Sequence, residues 1–288
     1  MGELTSLKTL KELMAESSFY FKKDYGQNFL IDGNIAEKIV EIACENNPGL
    51  ILEVGAGAGA LTELAVGMAN EVIAVEIDYF CIKMLESALG GYGNLSLIQE
   101  DFLKTDIHGL LKEHIQAGKS IGVISNLPYY ITSPIILKLL ESGIRFCSIT
   151  AMMQKEVADR LAAGPGSKAY SSFSVAVDYY AQTQKRMVVS RNVFYPSPKV
   201  DSAVVTITQR DEKKVKLESE DLFFAVVRSG FGQRRKTLLN SLSAGLGREK
   251  AVISKVLGIC GIPENERAEK LDMQQFADIA NTIALGKF

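Results

Sequence analysis

Short apolar runs alternate, over the first 155 residues, with stretches in which apolar residues recur every three or four positions. Leu50–Val54 has no polar alternation, as expected of a strand in a parallel sheet that is covered on both faces. In residues 32–47, four apolar residues fall on one helical face: Ile35, Ile39, Ile42 and Ala43. The same reasoning predicts helices at 4–16, 61–69, 79–89, 107–117 and 134–141, and strands at 71–77, 95–99, 120–125 and 148–153. This alternation predicts a right-handed, doubly wound α/β sheet.

The pattern changes in the last third of the chain. After about residue 190 it weakens, residues 200–208 alternate like one more strand, and the charged residues 210–221 are typical of a linker. Residues 221–288 carry apolar residues at helical spacing throughout. A length of 288 residues fits about two domains. We therefore expect an α/β domain at 1–209 and a small all-helical domain at 210–288.

Composition and chemistry-bearing residues exclude several classes of protein. With 47% hydrophobic and 23% charged residues the chain is globular, and no apolar run is long enough to span a bilayer. The first residues hold no compact apolar stretch, so we expect a soluble, cytoplasmic protein. The cysteines and histidines lack metal-site spacing and predict neither a zinc site nor a disulfide framework: Cys44, Cys81, Cys147, Cys260, His108 and His114. We expect chemistry without a metal or a histidine base.

A glycine-rich turn follows the first buried strand, in the sequence Glu53-Val-Gly-Ala-Gly-Ala-Gly-Ala60. Glycine lets the backbone turn tightly and lets a ligand approach the amides at a helix N-terminus. Glu76 ends the next predicted strand, nineteen residues after Gly57, where a carboxylate can accept hydrogen bonds from both hydroxyls of a ribose. The pattern favours a nucleoside-bearing cofactor over a turn that serves helix–strand packing alone.

The glycines do not identify the nucleoside. Gly55, Gly57 and Ala60 satisfy the dinucleotide pattern, so NAD and an oxidoreductase stay open at this point. The longer pattern Glu-x-Gly-x-Gly-x-Gly resembles the S-adenosylmethionine turn of class I methyltransferases. Asp101 lies after the third strand, where in those enzymes an Asp meets the exocyclic amine of adenine. Glu53 would be unfavourable beside a pyrophosphate but not beside a cationic sulfonium, so S-adenosylmethionine is favoured.

The strand predicted at 120–125 leads into Asn126-Leu127-Pro128-Tyr129, hereafter the Asn-Leu-Pro-Tyr corner. Ligands of open α/β sheets bind at the carboxyl ends of strands, so this corner is expected to face the same crevice as Gly55 and Asp101. An amide oxygen and a backbone carbonyl can hold the two hydrogens of an exocyclic aromatic amine and aim its lone pair at a methyl group. Pro128 fixes the backbone, and Tyr129 offers a ring for a base to stack on. An ordinary strand-ending turn is the alternative.

Eight segments in order resemble the ribosomal RNA adenine dimethylase family, over about residues 20–285, and most closely its bacterial members that act on the small subunit. They are Tyr25-Gly-Gln-Asn-Phe-Leu30, Glu53-Val-Gly-Ala-Gly-Ala-Gly-Ala-Leu-Thr62, Ala74-Val-Glu-Ile-Asp78, Asn126-Leu-Pro-Tyr129, Gln154-Lys-Glu-Val157, Ala163-Gly-Pro-Gly-Ser-Lys-Ala-Tyr170, Phe194-Tyr-Pro-Ser-Pro-Lys-Val-Asp-Ser202 and Phe231-Gly-Gln-Arg-Arg-Lys-Thr-Leu238. The resemblance implies a Rossmann-like class I methyltransferase sheet with a helical domain that docks on RNA or the ribosome.

The same resemblance implies roles for individual residues. The cofactor would be held by seven of them: Asn28, Leu30, Gly55, Gly57, Glu76, Asp101 and Asn126. Asn126 and Leu127 would also hold the target amine, with Pro128 between them and Tyr129. Tyr129 and Phe194 would enclose the target adenine as a base removed from its stack. Taken alone, Phe194 fits a core aromatic before a Pro-x-Pro turn better than a stacking residue.

RNA affinity would have to come from local patches, because the family is usually basic and this chain carries a net charge of −2. Residues 190–288 hold 16 Lys and Arg against 12 Asp and Glu, a net +4, whereas residues 1–189 hold 16 against 22. The best RNA-binding candidates are four cations with no acid among residues 228–236: Arg228, Arg234, Arg235 and Lys236. Lys22 and Lys23 come second. A solvated helix face is the alternative for both groups.

From the resemblance we expect dimethylation of the exocyclic amines of two adjacent adenosines near the 3′ end of small-subunit (16S) ribosomal RNA, with S-adenosylmethionine as the methyl donor. The small ribosomal subunit would be the partner and the enzyme a monomer. Two related functions stay open: methylation of a large-subunit adenosine that confers antibiotic resistance, and ribosome assembly with methylation secondary. The segments at 163–170 and 231–238 favour the small subunit.

Overall fold

A computed structural model describes residues 3–21 and 26–288. The chain forms two compact units: the first consists of Met1–Ala158 and Gln182–Gln209, and the second of Asp159–Ala181 and Arg210–Phe288. The prediction divided the chain once, between residues 209 and 210. The structure has a break there as well, but it also groups residues 159–181 with the later helices. Within the part of the chain that is described, no helix is long and apolar enough to cross a membrane.

The first unit is built on a seven-stranded mixed sheet. Its strands lie in the order β4-β3-β2-β5-β6-β9-β7. Their bounds are β2 Leu50–Val54, β3 Val72–Glu76, β4 Leu95–Gln99, β5 Ile121–Asn126, β6 Ser148–Gln154, β7 Ala181–Val189 and β9 Ser202–Gln209. Strands β4, β3, β2, β5 and β6 are parallel neighbours, and β9 pairs antiparallel with β6. Because the chain runs outward from β2 to β4 and then returns to β5, the topological switch point lies between β2 and β5.

Helices flank this sheet and cover its apolar strands. They are α1 Leu7–Glu16, α2 Gly33–Cys44, α3 Thr62–Met68, α4 Tyr79–Leu89, α5 Ile107–Gln116 and α6 Thr132–Glu141. Helix α7, Lys155–Leu161, begins in the first unit and ends in the second. Local sequence sets several helix starts: the Asp32 side chain caps α2 by accepting from the Ile35 amide, and Asp78 caps α4 by accepting from the Phe80 amide. Every residue of β2 and β3 is buried, as the absence of polar alternation in these strands predicts.

A short two-stranded ribbon lies outside the main sheet. Its strands, β1 Phe29–Leu30 and β8 Phe194–Tyr195, pair antiparallel, with Leu30 opposite Phe194 and Phe29 opposite Tyr195. The ribbon brings together two of the segments that carry the family resemblance, although 164 positions separate them along the chain.

The second unit is helical, with α8 Ser172–Tyr180, α9 Glu220–Phe231, α10 Leu238–Leu246, α11 Lys250–Ile259 and α12 Met273–Ala284. The α12 start is a capping box, in which Asp272 and Gln275 satisfy each other's backbone amides. Ring contacts connect α8 to α9: the Tyr179 and Phe223 ring centroids are 5.5 Å apart. The prediction of a helical C-terminal region is confirmed, and so is the α/β fold class.

Candidate functional site

A cleft opens at the carboxyl ends of β2, β3, β4 and β5, beside the switch point. It encloses about 1240 Å³ of space between protein atoms, with the solvent at its open mouth included. Its lining comes from residues 26–30, 53–58, 60–61, 75–77, 100–103, 126–131 and 135. The residues predicted to hold the cofactor and the target amine all line this one cleft. Of the two aromatic residues predicted to enclose the target adenine, Tyr129 lines it and Phe194 does not.

The glycine turn needs its glycines for different reasons. Gly55, Gly57 and Gly59 all have positive φ angles, of 76°, 57° and 92°. A Cβ atom on Gly59 would lie 2.8 Å from both Leu4 and Leu85, so this glycine permits packing. Among residues 3–21 and 26–288, one on Gly55 would meet only Pro128, at 3.8 Å, so this position is open toward the cleft. The turn thus combines close packing on one side with ligand access on the other.

The carboxylate of Glu76 closes the turn. Its Oε2 accepts from the Gly57 amide and its Oε1 from the Asp78 amide, each at 2.8 Å. Burial raises the pKa of Glu76, and these two backbone donors oppose the rise. The side chain lines the cleft, and each oxygen keeps a further lone pair, so it can accept from a ribose as predicted.

Glu53 lies deeper, at the end of β2. Its side chain is 1% exposed, and its Oε2 has no hydrogen-bond partner among residues 3–21 and 26–288. Burial raises the pKa of Glu53 to about 8, and the nearby Glu76 carboxylate acts in the same direction. At neutral pH the side chain is therefore mostly a neutral acid. It borders the cleft, where a cationic ligand would favour its ionised form.

Asp101 is the second residue of the loop that follows β4. This loop comprises residues 100–105 and is hereafter called the β4 loop. Its Oδ1 accepts from the Leu103 amide at 3.0 Å, and the Thr105 hydroxyl donates to Glu100 at 2.9 Å. Asp101 lines the cleft with its side chain 27% exposed, and the exposed Lys104 ammonium lies 3.5 Å from it. An ordered acceptor with one side open is suited to the exocyclic amine of a base.

The Asn-Leu-Pro-Tyr corner follows β5 and contacts the segment before β1. The Asn126 amide nitrogen donates to the Asn28 carbonyl at 3.2 Å, and the Asn28 side chain donates to the Gly26 carbonyl at 2.8 Å. These bonds draw residues 26–28 against the corner. The bond from Asn126 uses its amide nitrogen, so its amide oxygen is not occupied by this contact.

Contacts to neighbouring strands hold the rest of the corner. The Leu127 amide donates to the Met152 carbonyl on β6 at 2.9 Å, and Leu127 is buried. The half-buried Tyr129 exchanges a hydrogen bond of 2.8 Å with the Ser202 hydroxyl on β9. Burial raises the pKa of Tyr129, so its phenol stays neutral at any ordinary pH. The ring has a fixed orientation at the wall of the cleft.

Phe194 is placed differently from the expectation that it faces a bound base. It is 3% exposed and packs in a core cluster with Leu30, Ile124 and Met152. It does not belong to the described cleft lining. Phe194 pairs opposite Leu30 in the β1–β8 ribbon, and of these two residues Leu30 lines the cleft while Phe194 packs in the core. Stacking by Phe194 stays a prediction that requires the ring to become accessible.

The cations predicted to bind RNA differ in the contacts that they make within the protein. Arg228, Arg235 and Lys236 are exposed at the end of α9 and in the turn before α10. The Arg234 guanidinium instead donates to two backbone carbonyls of the same unit, those of Lys168 at 2.7 Å and Tyr170 at 3.3 Å. Arg234 therefore connects the segment at 163–170 to the segment at 231–238. Lys22 and Lys23 lie outside the described residues.

One residue that supports the cleft has no signal in the sequence. The Lys138 ammonium, on α6, donates to the Leu103 and Thr105 carbonyls at 2.8 and 2.7 Å. It anchors the β4 loop to the helix that follows the Asn-Leu-Pro-Tyr corner. More than thirty residues separate these partners, and only the sheet topology brings them together.

Comparison with known proteins agrees with this geometry. A sequence model of the ribosomal RNA adenine dimethylase family matches residues 18–285. The ribosomal RNA small subunit methyltransferase A of Alkaliphilus oremlandii is 46% identical over 285 residues, which cover 99% of each chain. The protein of the same name from Bacillus cereus is 41% identical over 290 residues, with 100% of this chain and 99% of that protein covered.

Two solved structures share the fold. A dimethyladenosine transferase from Plasmodium falciparum has a TM-score of 0.71 and 25% identity, covering 90% of this chain and 98% of that one. The 23S rRNA methyltransferase ErmE has a TM-score of 0.63 and 24% identity, covering 88% and 98%. The family match over nearly the whole chain and the identities above 40% identify this chain as a member of the ribosomal RNA adenine dimethylase family.

Proposed function

We propose that this chain uses S-adenosylmethionine to dimethylate the exocyclic N6 amines of two adjacent adenosines near the 3′ end of small-subunit (16S) ribosomal RNA, as a step in small-subunit biogenesis. The observation that carries the proposal is the single cleft shared by the glycine turn, Glu76, Asp101 and the Asn-Leu-Pro-Tyr corner. Its choice of subunit is supported by the names of the two relatives that are more than 40% identical.

The residues of the cleft fit S-adenosylmethionine in charge and in hydrogen bonding. Glu76 at the end of β3 and Asp101 after β4 supply acceptors for a ribose and an adenine amine, and the open glycine turn admits the methionine part. The buried Glu53 oxygen has no partner among the described residues, and a cationic ligand beside it would favour the ionised carboxylate, so the position suits a cationic sulfonium. When bound, this cofactor supplies a methyl group on a cationic sulfur, which is an electrophile for a nitrogen lone pair.

The Asn-Leu-Pro-Tyr corner positions the target amine. The lone pair of an exocyclic adenine nitrogen is delocalised into the ring, so the amine attacks poorly unless it is held toward tetrahedral geometry. The Asn126 amide oxygen and the Leu127 carbonyl accept its two hydrogens and orient it. The N–C bond would form as the methyl group leaves the sulfur of the bound donor, and the cationic, acidic amine would then lose its proton to water. No strong base is needed, and Tyr129 contributes a ring face for the base.

The helical unit is the docking module of this proposal. Arg228, Arg235 and Lys236 present exposed positive charge on one helix end and the turn after it. Such a patch supplies phosphate contacts in a chain whose overall charge is negative. These contacts position the RNA, whereas the choice of the target base is made in the cleft.

The decisive experiment incubates the purified protein with unmethylated ribosomal subunits and radiolabelled S-adenosylmethionine, and maps the labelled nucleotides by nuclease digestion and mass spectrometry. We expect dimethyladenosine at two adjacent positions near the 3′ end of the small-subunit RNA. Label in the large subunit alone, or binding of NAD in place of S-adenosylmethionine, would refute the proposal.

Replacement of Asn126 tests the chemistry separately. Asn126→Ala should lower turnover by roughly 100-fold or more, because an electrostatic contact made to the reacting group is lost. Affinity for S-adenosylhomocysteine, measured by calorimetry, should change far less. Asn46→Ala, an exposed asparagine outside the cleft, is the matched control. Wild-type turnover in Asn126→Ala would show that the amide does not hold the amine.

A further inference from the structure

Tyr130 occupies the rim of the cleft, directly after the corner. It lines the cleft and is 56% exposed, more than any other described aromatic residue in the lining. Its ring lies over Gly26, where a Cβ atom would be 3.4 Å from the ring Cδ1. Its neighbour Tyr129 is half-buried and held by Ser202. Two consecutive tyrosines therefore have different positions, one inside the cleft wall and one at its mouth.

The sheet order decides on which side an RNA chain can leave the cleft. Asp101 follows β4 and Asn126 follows β5, and two strands lie between them. At about 4.8 Å per strand, the acidic β4 loop is roughly 14 Å from the corner. Two acids on that loop, Glu100 and Asp101, outnumber its one cation, Lys104, so a phosphodiester chain is disfavoured at that end. The rim at Tyr130 carries an aromatic surface instead.

We propose that Tyr130 forms a second nucleobase subsite, on which the base adjacent to the target adenosine stacks. The inference rests on the proposed function, since it requires a base held at Tyr129. Tyr130 directly follows Tyr129, and the Cα atoms of consecutive residues are about 3.8 Å apart. The neighbour of a base held at Tyr129 is therefore within reach of the next side chain. Stacking accepts any base, so one platform serves while either of two adjacent adenosines is in the cleft.

The test compares Tyr130→Ala with Tyr130→Phe, using small subunits as substrate. Removing the ring should lower kcat/KM for the subunit roughly 10-fold, mainly through KM, whereas Tyr130→Phe keeps the ring and should stay within about twofold of wild type. Tyr92→Ala removes a tyrosine that is 45% exposed but lies outside the cleft lining, and should have no effect. Affinity for S-adenosylhomocysteine should be the same in all four proteins.

Each other outcome overturns the subsite. Unchanged kcat/KM in Tyr130→Ala would show that no base stacks there, and equal losses in the Ala and Phe variants would assign the effect to the hydroxyl. Weaker S-adenosylhomocysteine binding in Tyr130→Ala would make the residue a support for the segment at Gly26 instead. A wild-type protein that leaves small subunits unmethylated would refute the proposed function itself, and the subsite with it.

Discussion

Replacing the buried Glu53 by glutamine should make the stability of the protein less sensitive to pH. In wild type the folded state keeps the Glu53 proton up to about pH 8, because burial raises its pKa from 4.5. The unfolded chain releases this proton near pH 4.5. Between these values the unfolded state binds fewer protons, so the free energy of unfolding falls as pH rises. The stabilisation is complete below pH 4.5 and is lost by about pH 8.

The size of the effect follows from the shift. In this window the free energy of unfolding of wild type falls by about 1.4 kcal/mol for each pH unit, whereas glutamine has no proton to lose and adds no pH dependence. Between pH 5 and pH 7.5 the stability of Glu53→Gln relative to wild type should therefore rise by about 3 kcal/mol. A saturating cationic ligand favours the ionised form of Glu53, so S-adenosylmethionine should reduce this difference.

Urea unfolding at a series of pH values measures this difference. The chain contains no tryptophan, so the transitions are followed by far-ultraviolet circular dichroism. Glu86→Gln is the control, since Glu86 is exposed and its side chain stays in water in both states. A stability difference between Glu53→Gln and wild type that is flat from pH 5 to pH 7.5 would show that Glu53 is already ionised in the folded protein, and the reasoning from burial would fail.

Three further predictions concern the turn, the β4 loop and the helical unit. Gly59→Ala should destabilise by about 1–3 kcal/mol in urea, because its φ is positive and its Cβ would collide with two leucines, whereas Gly67→Ala, with open space, should not. Lys138→Met should weaken binding of S-adenosylhomocysteine and of adenosine alike, as calorimetry can show; loss for the first alone would exclude a role at the adenine. Arg234→Ala should lower the free energy of unfolding, measured in urea, by about 1 kcal/mol, because two hydrogen bonds to backbone carbonyls are lost. Arg235→Ala should instead leave stability unchanged and raise KM for the small subunit, so identical effects of the two variants would contradict their separate roles.

The parts of the fold with strong local signals could be predicted from the sequence. Leu50–Val54, Tyr79–Leu89 and Leu95–Gln99 begin and end where the pattern placed them. A glycine turn follows the first of these and the Asp78 cap starts the second, so local chemistry defines their ends. The last of these elements leads into Asp101, and Glu76 lies in the strand predicted at 71–77, so the sequence could place both residues at the cleft; their roles stay predictions.

The elements between residues 155 and 189 were missed. Strand β7 is an edge strand whose sequence, Ala-Gln-Thr-Gln-Lys-Arg-Met-Val-Val, is polar and largely exposed, so it has little apolar pattern to detect. Helices α7 and α8 span only seven and nine residues, a length at which the periodic signal is weak. Because these residues gave no pattern, the contribution of residues 159–181 to the helical unit could not be predicted.

The contacts of Phe194, Lys138 and Arg234 depend on pairings that are distant in sequence. Phe194 faces the core because β8 pairs with β1, and Lys138 finds its carbonyls only because α6 and the β4 loop end up side by side. Arg234 was assigned to RNA from charge alone, and charge does not distinguish a free guanidinium from one bonded to a backbone. Residue type was sufficient to identify the cleft but not to assign these partners.

The discontinuous helical unit restricts how this protein can be divided by genetic engineering. The stretch 159–181 depends on later residues for its bonds: Asp178 pairs with Arg210 and Lys214, and Tyr179 donates to Glu220. A stop codon at position 210 would remove these partners and leave the buried Tyr170 and Tyr179 uncovered. A chimera that joins this helical unit to the sheet unit of a homologue should therefore fold only if residues 159–181 are transferred together with residues 210–288.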